Sequence, residues 1–207
     1  MKHPNVYLIG LTGGIACGKS TVLNMLAELG AHTIDADRVT HEVQAPGTPV
    51  YEQIVDAFPE AQPAPGAPLD RRRLGAIVFA DPERLRQLER IVHPAVREEI
   101  RNFITAVGQA ADPAERPVVV IDAIKLIESG WITVCDAVWV VTAPEEQQMQ
   151  RLMATRGMSE AEARQRIAAQ PPQEARLAHA SVVIDNGGTR EATRVQVEAA
   201  WREVVSG

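Results

Sequence analysis

A chain of 207 residues with 45% hydrophobic residues is long enough to bury a real core as one domain, with or without an insertion. Its net charge of −6 excludes a broad basic nucleic-acid surface, and no apolar run is long enough to span a membrane. Two cysteines and an N-terminus, Met1-Lys2-His3-Pro4, without signal-peptide character point to a reducing, cytoplasmic setting.

Val6-Tyr7-Leu8-Ile9 reads as a buried strand. Directly after it, Gly13-Gly14-Ile15-Ala16-Cys17-Gly18-Lys19-Ser20 satisfies G-x-x-x-x-G-K-[ST] at every fixed position. Glycines in such a loop let backbone N–H groups close around a phosphate, and the helix that follows, from near Lys19 to Leu29, turns its positive dipole end on the same anion. Lys19 then reaches the β- and γ-phosphates and the Ser20 hydroxyl is placed to ligate Mg²⁺. Cys17 has two readings: a thiol activated by the loop's N–H groups and Lys19, or an inert small residue. Its place in the loop argues against a disulfide with Cys135.

Thr33-Ile34-Asp35 ends a second strand. A helix is expected over 38–44, stopped by Pro46-Gly47, and another over 50–58. The run 59–68 holds four prolines at Pro59, Pro63, Pro65 and Pro68, and is expected to be an exposed loop. Residues 70–108 read as mostly helical, with Leu85, Leu88, Ile91 and Val92 on one face and an interruption at His93-Pro94. Asp112-Pro113 marks a turn. Val118–Asp122 and Ala137–Val141 are β-branched runs of the kind found in central parallel strands. Helices follow over 144–154 and 159–170, the latter with Ser159 and Glu162 as a capping box. Val182–Asp185 is the last strand, and 191–205 a closing amphipathic helix.

Strands separated by helices require a parallel sheet with right-handed crossovers, and ligands then bind at the carboxyl ends of the strands. The motifs sit at those ends. Of Asp35 and Asp37, one is suited to Mg²⁺ and the other to orienting or deprotonating an attacking hydroxyl; alternatively Asp37 is only the N-cap of the next helix. Asp122, after four apolar β residues, has the Walker B position of a Mg²⁺ ligand. His93 suits a substrate phosphate or base, or a polar residue satisfied in a helix break. Arg151 and Arg156 suit a phosphoryl group closed on by a lid, or a solvated surface.

These segments together resemble the dephospho-CoA kinase family, nearly end to end. The resemblance rests on Gly10-Leu11-Thr12-Gly13-Gly14-Ile15, Gly18-Lys19-Ser20-Thr21, Ile34-Asp35-Ala36-Asp37 and Pro46-Gly47. It continues through Asp70-Arg71 with Leu74 and Phe79, Leu88-Glu89 with His93-Pro94, then Gln148, Arg151, Arg156, Gln170 and Asn186-Gly187. It implies an α/β P-loop fold of three layers about a parallel sheet. The nucleotide-binding core covers residues 1–46 and 111–207, a helical acceptor-binding insertion 47–110, and a lid about 150–172. It implies ATP-dependent phosphorylation of the ribose 3′-hydroxyl of dephospho-CoA, with Mg²⁺, in a monomer or small homo-oligomer. Carried over, Asp37, Lys19 and Arg151 are catalytic. Residues 13 to 21 of the loop (Gly13, Gly14, Ile15, Ala16, Cys17, Gly18, Lys19, Ser20, Thr21), Arg151, Arg156, Asn186 and Gly187 contact the nucleotide. Asp37, Arg71, His93 and Lys125 contact the acceptor, and Ser20, Asp35 and Asp122 the metal.

The chain departs from the family pattern in three places. Ala16-Cys17 stands where Gly-Ser is usual, Ile124-Lys125-Leu126-Ile127-Glu128 where Pro-Leu-Leu-Phe-Glu is usual, and Ser181 where aspartate is usual. The alternative is another P-loop small-molecule kinase, for a nucleoside monophosphate or shikimate. A GTP-driven switch lacks its Asn/Thr-Lys-x-Asp motif here, because the only lysines are Lys2, Lys19 and Lys125.

Overall fold

The computed structural model describes residues 3–112 and 114–206. Met1, Lys2 and the proline of the expected Asp112-Pro113 turn lie outside them. The chain divides into two compact units, one of residues 1–34 and 107–207 and one of residues 35–106.

The first unit is built on a five-stranded sheet in the order β2-β3-β1-β4-β5. Its strands are β1 (Tyr7–Gly13), β2 (His32–Asp35), β3 (Val118–Asp122), β4 (Ala137–Thr142) and β5 (Val182–Asp185). The pairs β1–β3, β1–β4 and β4–β5 are parallel, with Ile9 opposite both Val120 and Ala137. Alternate residues serve opposite faces. Ile9, Leu11, Val118, Val120, Trp139 and Val141 pack with Val22, Met25 and Leu26 of α1 (Lys19–Glu28) and Val197 of α9 (Arg190–Ser206). Leu8, Val119, Ile121 and Val140 are equally buried on the other face, which explains the continuous β-branched runs. The strand starts are pinned by side chains. Asp136 Oδ2 accepts the Leu8 N–H at 2.9 Å and Ser181 Oγ accepts the Val138 N–H at 3.1 Å. The serine at 181 thus finishes the start of β4 with a hydroxyl.

Beyond β4 lie α6 (Glu145–Arg156), α7 (Glu160–Ala168) and the short α8 (Gln173–Leu177). The Ser159–Glu162 capping box forms in both directions. The sequence reading has no counterpart for α8.

In the second unit α2 is Ala36–Val43, α3 Pro49–Ala57, α4 Arg71–Ala80 and α5 Pro82–Ala110, whose last residues pass into the first unit. Two expectations are corrected. The helix runs unbroken through His93-Pro94, with both side chains exposed. A proline there costs about 3 kcal/mol in lost ladder bonding and crowding. The buried stripe Val92, Val96, Ile100 and Ile104 offsets it, at about 1.5–3 kcal/mol per side chain. The proline-rich stretch also begins with a 3₁₀ turn, Pro59–Ala61, whose alanine is fully buried. Tyr51 anchors the stretch, its hydroxyl donating to Ala67 O at 2.6 Å and accepting from Gln62 Nε2 at 2.8 Å. No helix among the described residues is long and apolar enough to cross a membrane.

Candidate active site

The phosphate loop leaves β1 at Gly13 and enters α1 through Gly18, at φ +88°, a left-handed conformation that suits glycine. A Cβ on Gly18 would lie 1.9 Å from Asn186 Nδ2, and one on Gly13 would lie 2.6 Å from Cys17 Sγ. Gly18 is therefore required by its left-handed φ as well as by close approach, and Gly13 by close approach alone, with the Val141 carbonyl 2.7 Å from where its Cβ would lie. Helix α1 has no side-chain cap, and among the described residues the N–H groups of Ala16, Gly18 and Ser20 have no acceptor. These are the donors that an anion at a helix N-terminus satisfies.

The loop's peptides are oriented from behind. The Cys17 carbonyl accepts from Arg151 Nη1 at 3.1 Å and from Asn186 Nδ2 at 2.8 Å. Arg151 also donates to Ala16 O at 3.2 Å and to Asn186 O at 2.8 Å. In a trans peptide the N–H points opposite to the C=O. Holding the Cys17 carbonyl back therefore turns the Gly18 N–H the other way, while the Cys17 N–H donates to Gly14 O at 3.3 Å within the loop. Thr193, fully buried on α9, donates to Asn186 Oδ1 at 2.9 Å and so sets which end of the Asn186 amide faces the loop. Gly187 N donates to Asp185 Oδ1 at 2.8 Å, and its carbonyl accepts from Gln147 at 2.7 Å. Arg151 and Asn186 thus converge on the loop's backbone, while Gly187 is held by Asp185 and Gln147 rather than by the loop. Thr193 was not among the residues singled out from the sequence, where a threonine in an amphipathic helix gives no signal.

Lys19 Nζ donates to Asp122 Oδ1, closing an ion pair between the loop and the end of β3. Side-chain exposures of 16% and 8% make this a largely buried pair. Ser20 and Thr21 lie in the first turn of α1, Ser20 exposed and Thr21 half-buried, and the Ile15 N–H donates to Gln170 Oε1 at 2.9 Å. Arg156 is exposed at the last position of α6. Lys125 is exposed in the run of turns after β3, where its neighbour Leu126 is fully buried against Gly10.

The reactive reading of Cys17 is overturned. The side chain is 1% exposed, tucked under Gly13, and burial pushes its thiol pKa up. The Lys19 N–H and the charges of Lys19, Arg151 and Arg176 pull in the other direction and are outweighed. Cys135, also buried and free, is pushed up to about 12 by desolvation and by Asp136. Ellman's reagent at pH 8 is therefore expected to find neither thiol rapidly in native protein and both in urea. A fast native phase that survives in Cys135→Ser would contradict the buried placement of Cys17.

The remaining candidates belong to the second unit. Asp35 is the N-cap of α2, its Oδ1 accepting from Asp37 N at 2.8 Å and Arg38 N at 3.0 Å. The capping alternative for Asp37 is thereby corrected. The helix begins two residues earlier than the sequence suggests, because an aspartate just before it takes the cap. Asp37 stands exposed in the first turn with its carboxylate outside the capping bonds. Arg71 opens α4 and donates weakly to His41 O at 3.5 Å.

Comparison with known proteins follows the same lines. The family model described as Dephospho-CoA kinase matches residues 7–191. A dephospho-CoA kinase of Symbiobacterium thermophilum is 50% identical over 200 residues, covering 97% of this chain and 82% of the relative. A crystal structure of a Thermus thermophilus protein superposes with a TM-score of 0.84 at 33% identity, covering 98% of this chain and all of that one. The dephospho-CoA kinase of Campylobacter jejuni superposes with a TM-score of 0.70 at 26% identity, covering 97% and 98% of the two chains. With the phosphate loop, its Lys19–Asp122 pair and matches spanning nearly the whole length, the chain belongs to the dephospho-CoA kinase family.

Proposed function

We propose that this chain transfers the γ-phosphoryl group of ATP to the ribose 3′-hydroxyl of dephospho-CoA, giving ADP and coenzyme A, in the cytoplasm. The observation that carries the reading is the loop itself. Its carbonyls are held by Arg151 and Asn186 so that free N–H groups and the positive end of α1 are left for phosphates. Lys19 sits at the same helix end and leaves Asp122 to follow the β- and γ-phosphates.

The donor set also fits Mg²⁺, which takes hard oxygens, needs only one or two protein ligands and keeps waters and phosphate oxygens for the rest. The Ser20 hydroxyl and the Asp122 carboxylate would hold it; the assignment of Asp35 to the metal rests on the family resemblance alone. When bound it neutralises charge on the transferring phosphates. The P–O bond to ADP breaks as the bond to the 3′-oxygen forms, and the hydroxyl proton passes to Asp37. Residues of the second unit, with Arg71 and His93, and Lys125 of the first are assigned to the acceptor, and Arg156 to the nucleotide.

Purified protein with ATP and Mg²⁺, tested against dephospho-CoA, AMP, adenosine and shikimate, is expected to release ADP fastest with dephospho-CoA. A clear preference for AMP or shikimate overturns the acceptor and leaves the alternative kinase reading.

A further inference from the structure

Arg176 is a buried cation for which the mechanism above has no use. It lies on α8 with 7% of its surface exposed, and among the described residues no carboxylate pairs with it. Its guanidinium makes only two long contacts, to Pro171 O at 3.4 Å and to Gln170 Oε1 at 3.3 Å. A buried arginine is costly unless an anion compensates it. The oxygen it touches is the same Gln170 Oε1 that takes the Ile15 N–H at 2.9 Å. One oxygen is thus held between a phosphate-loop N–H and a buried guanidinium, the donor pair that suits a phosphoryl oxygen. Around them lies a cavity of 460 Å³ lined by Gly14, Pro144, Gln148, Gln170, Glu174 and Arg176. Glu145 also borders it; Glu145 and Glu174 are both exposed, and among the described residues neither forms an ion pair with Arg176.

We propose that Arg176 binds a phosphoryl group of the phosphate-bearing ligand at this cavity, and that Gln170 Oε1 holds the place of that group's oxygen between Arg176 and the Ile15 N–H. The proposal rests on the phosphotransfer reading and adds to it a binding residue from a five-residue helix beyond the expected lid. Gln170 then gives up one oxygen contact as the phosphoryl group arrives, so the segment between α7 and α8 responds to the same event.

The test uses inorganic tripolyphosphate as the probe, measured by calorimetry against wild type, Arg176→Met and Arg176→Lys. ADP release from ATP and dephospho-CoA is followed in parallel. Removing a charge-assisted bond is expected to weaken tripolyphosphate binding by about 10–100-fold in Arg176→Met. Arg176→Lys, which keeps the charge and loses the fork, should recover part of it. The KM for ATP should rise in the same order. Wild-type affinity in Arg176→Met overturns the proposal. Should that variant fail to melt cooperatively, Arg176→Lys decides: undiminished binding there overturns it, and a loss supports it. A wild-type protein that binds tripolyphosphate but releases no ADP with dephospho-CoA would instead remove the phosphotransfer reading and leave the binding comparison standing.

Discussion

Lys19→Ala is expected to lose at least ~10²-fold in turnover, because the charge that accumulates on the transferring phosphoryl group has no other cation in the loop to meet it. The structure adds a consequence for stability. The sequence motif assigns Lys19 to the β- and γ-phosphates. Its ammonium in fact faces the Asp122 carboxylate, which keeps only 8% of its side-chain surface. Taking one partner from a buried pair costs about 3–5 kcal/mol, and the 16% exposure of Lys19 places this one near the lower end. Lys19→Ala should therefore melt at a lower temperature as well as turn over slowly. The two effects separate in the double variant Lys19→Ala/Asp122→Asn, where the neutral amide removes the charge that Lys19 faced. Stability should largely return, while ADP release stays at the level of the single variant or below. A double variant that regained turnover would mean that Lys19 acts only by neutralising Asp122.

Asp37→Asn is expected to lower kcat by ~10²–10⁴-fold with ATP binding little changed, the range for loss of a general base or orienting carboxylate. The stability control is now sharper than the sequence allowed. Asp35 caps α2 through Oδ1, so Asp37→Asn removes no cap and should shift stability by only about 0.5 kcal/mol, as an exposed first-turn acid does. Asp35→Ala should cost about 1 kcal/mol through the lost cap. Single-turnover phosphorylation of dephospho-CoA at saturating MgATP decides the matter. A near wild-type rate in Asp37→Asn would take Asp37 out of the chemistry.

The features legible in the sequence are those set by chemistry within a few residues. The phosphate loop, the β-branched runs of β3 and β4 and the Ser159–Glu162 box all follow from backbone freedom, local hydrogen bonds and side-chain pattern. Where a local rule failed, another local competitor or a packing term had won. Asp35 took the cap that the spacing left open to Asp37, and a buried stripe carried α5 through Pro94 against the proline's own preference.

The candidate site divides in the same way. Residue types and their places at strand ends pointed to phosphate chemistry. Which groups meet was decided by contacts between residues far apart in the chain: Lys19 with Asp122 across 103 positions, Arg151 and Asn186 on the Cys17 carbonyl across 134 and 169. The sequence determined that Cys17 sits in a phosphate loop beside a lysine, an environment that favours a thiolate. Only the tertiary structure decided that Cys17 is buried under Gly13, and burial governs its proton. The same holds for Arg176, an unremarkable arginine in a short alanine-rich run, which folding removes from water with no carboxylate paired to it among the described residues. Desolvation is a property of everything packed around a group, and no pattern of near neighbours along the chain encodes it.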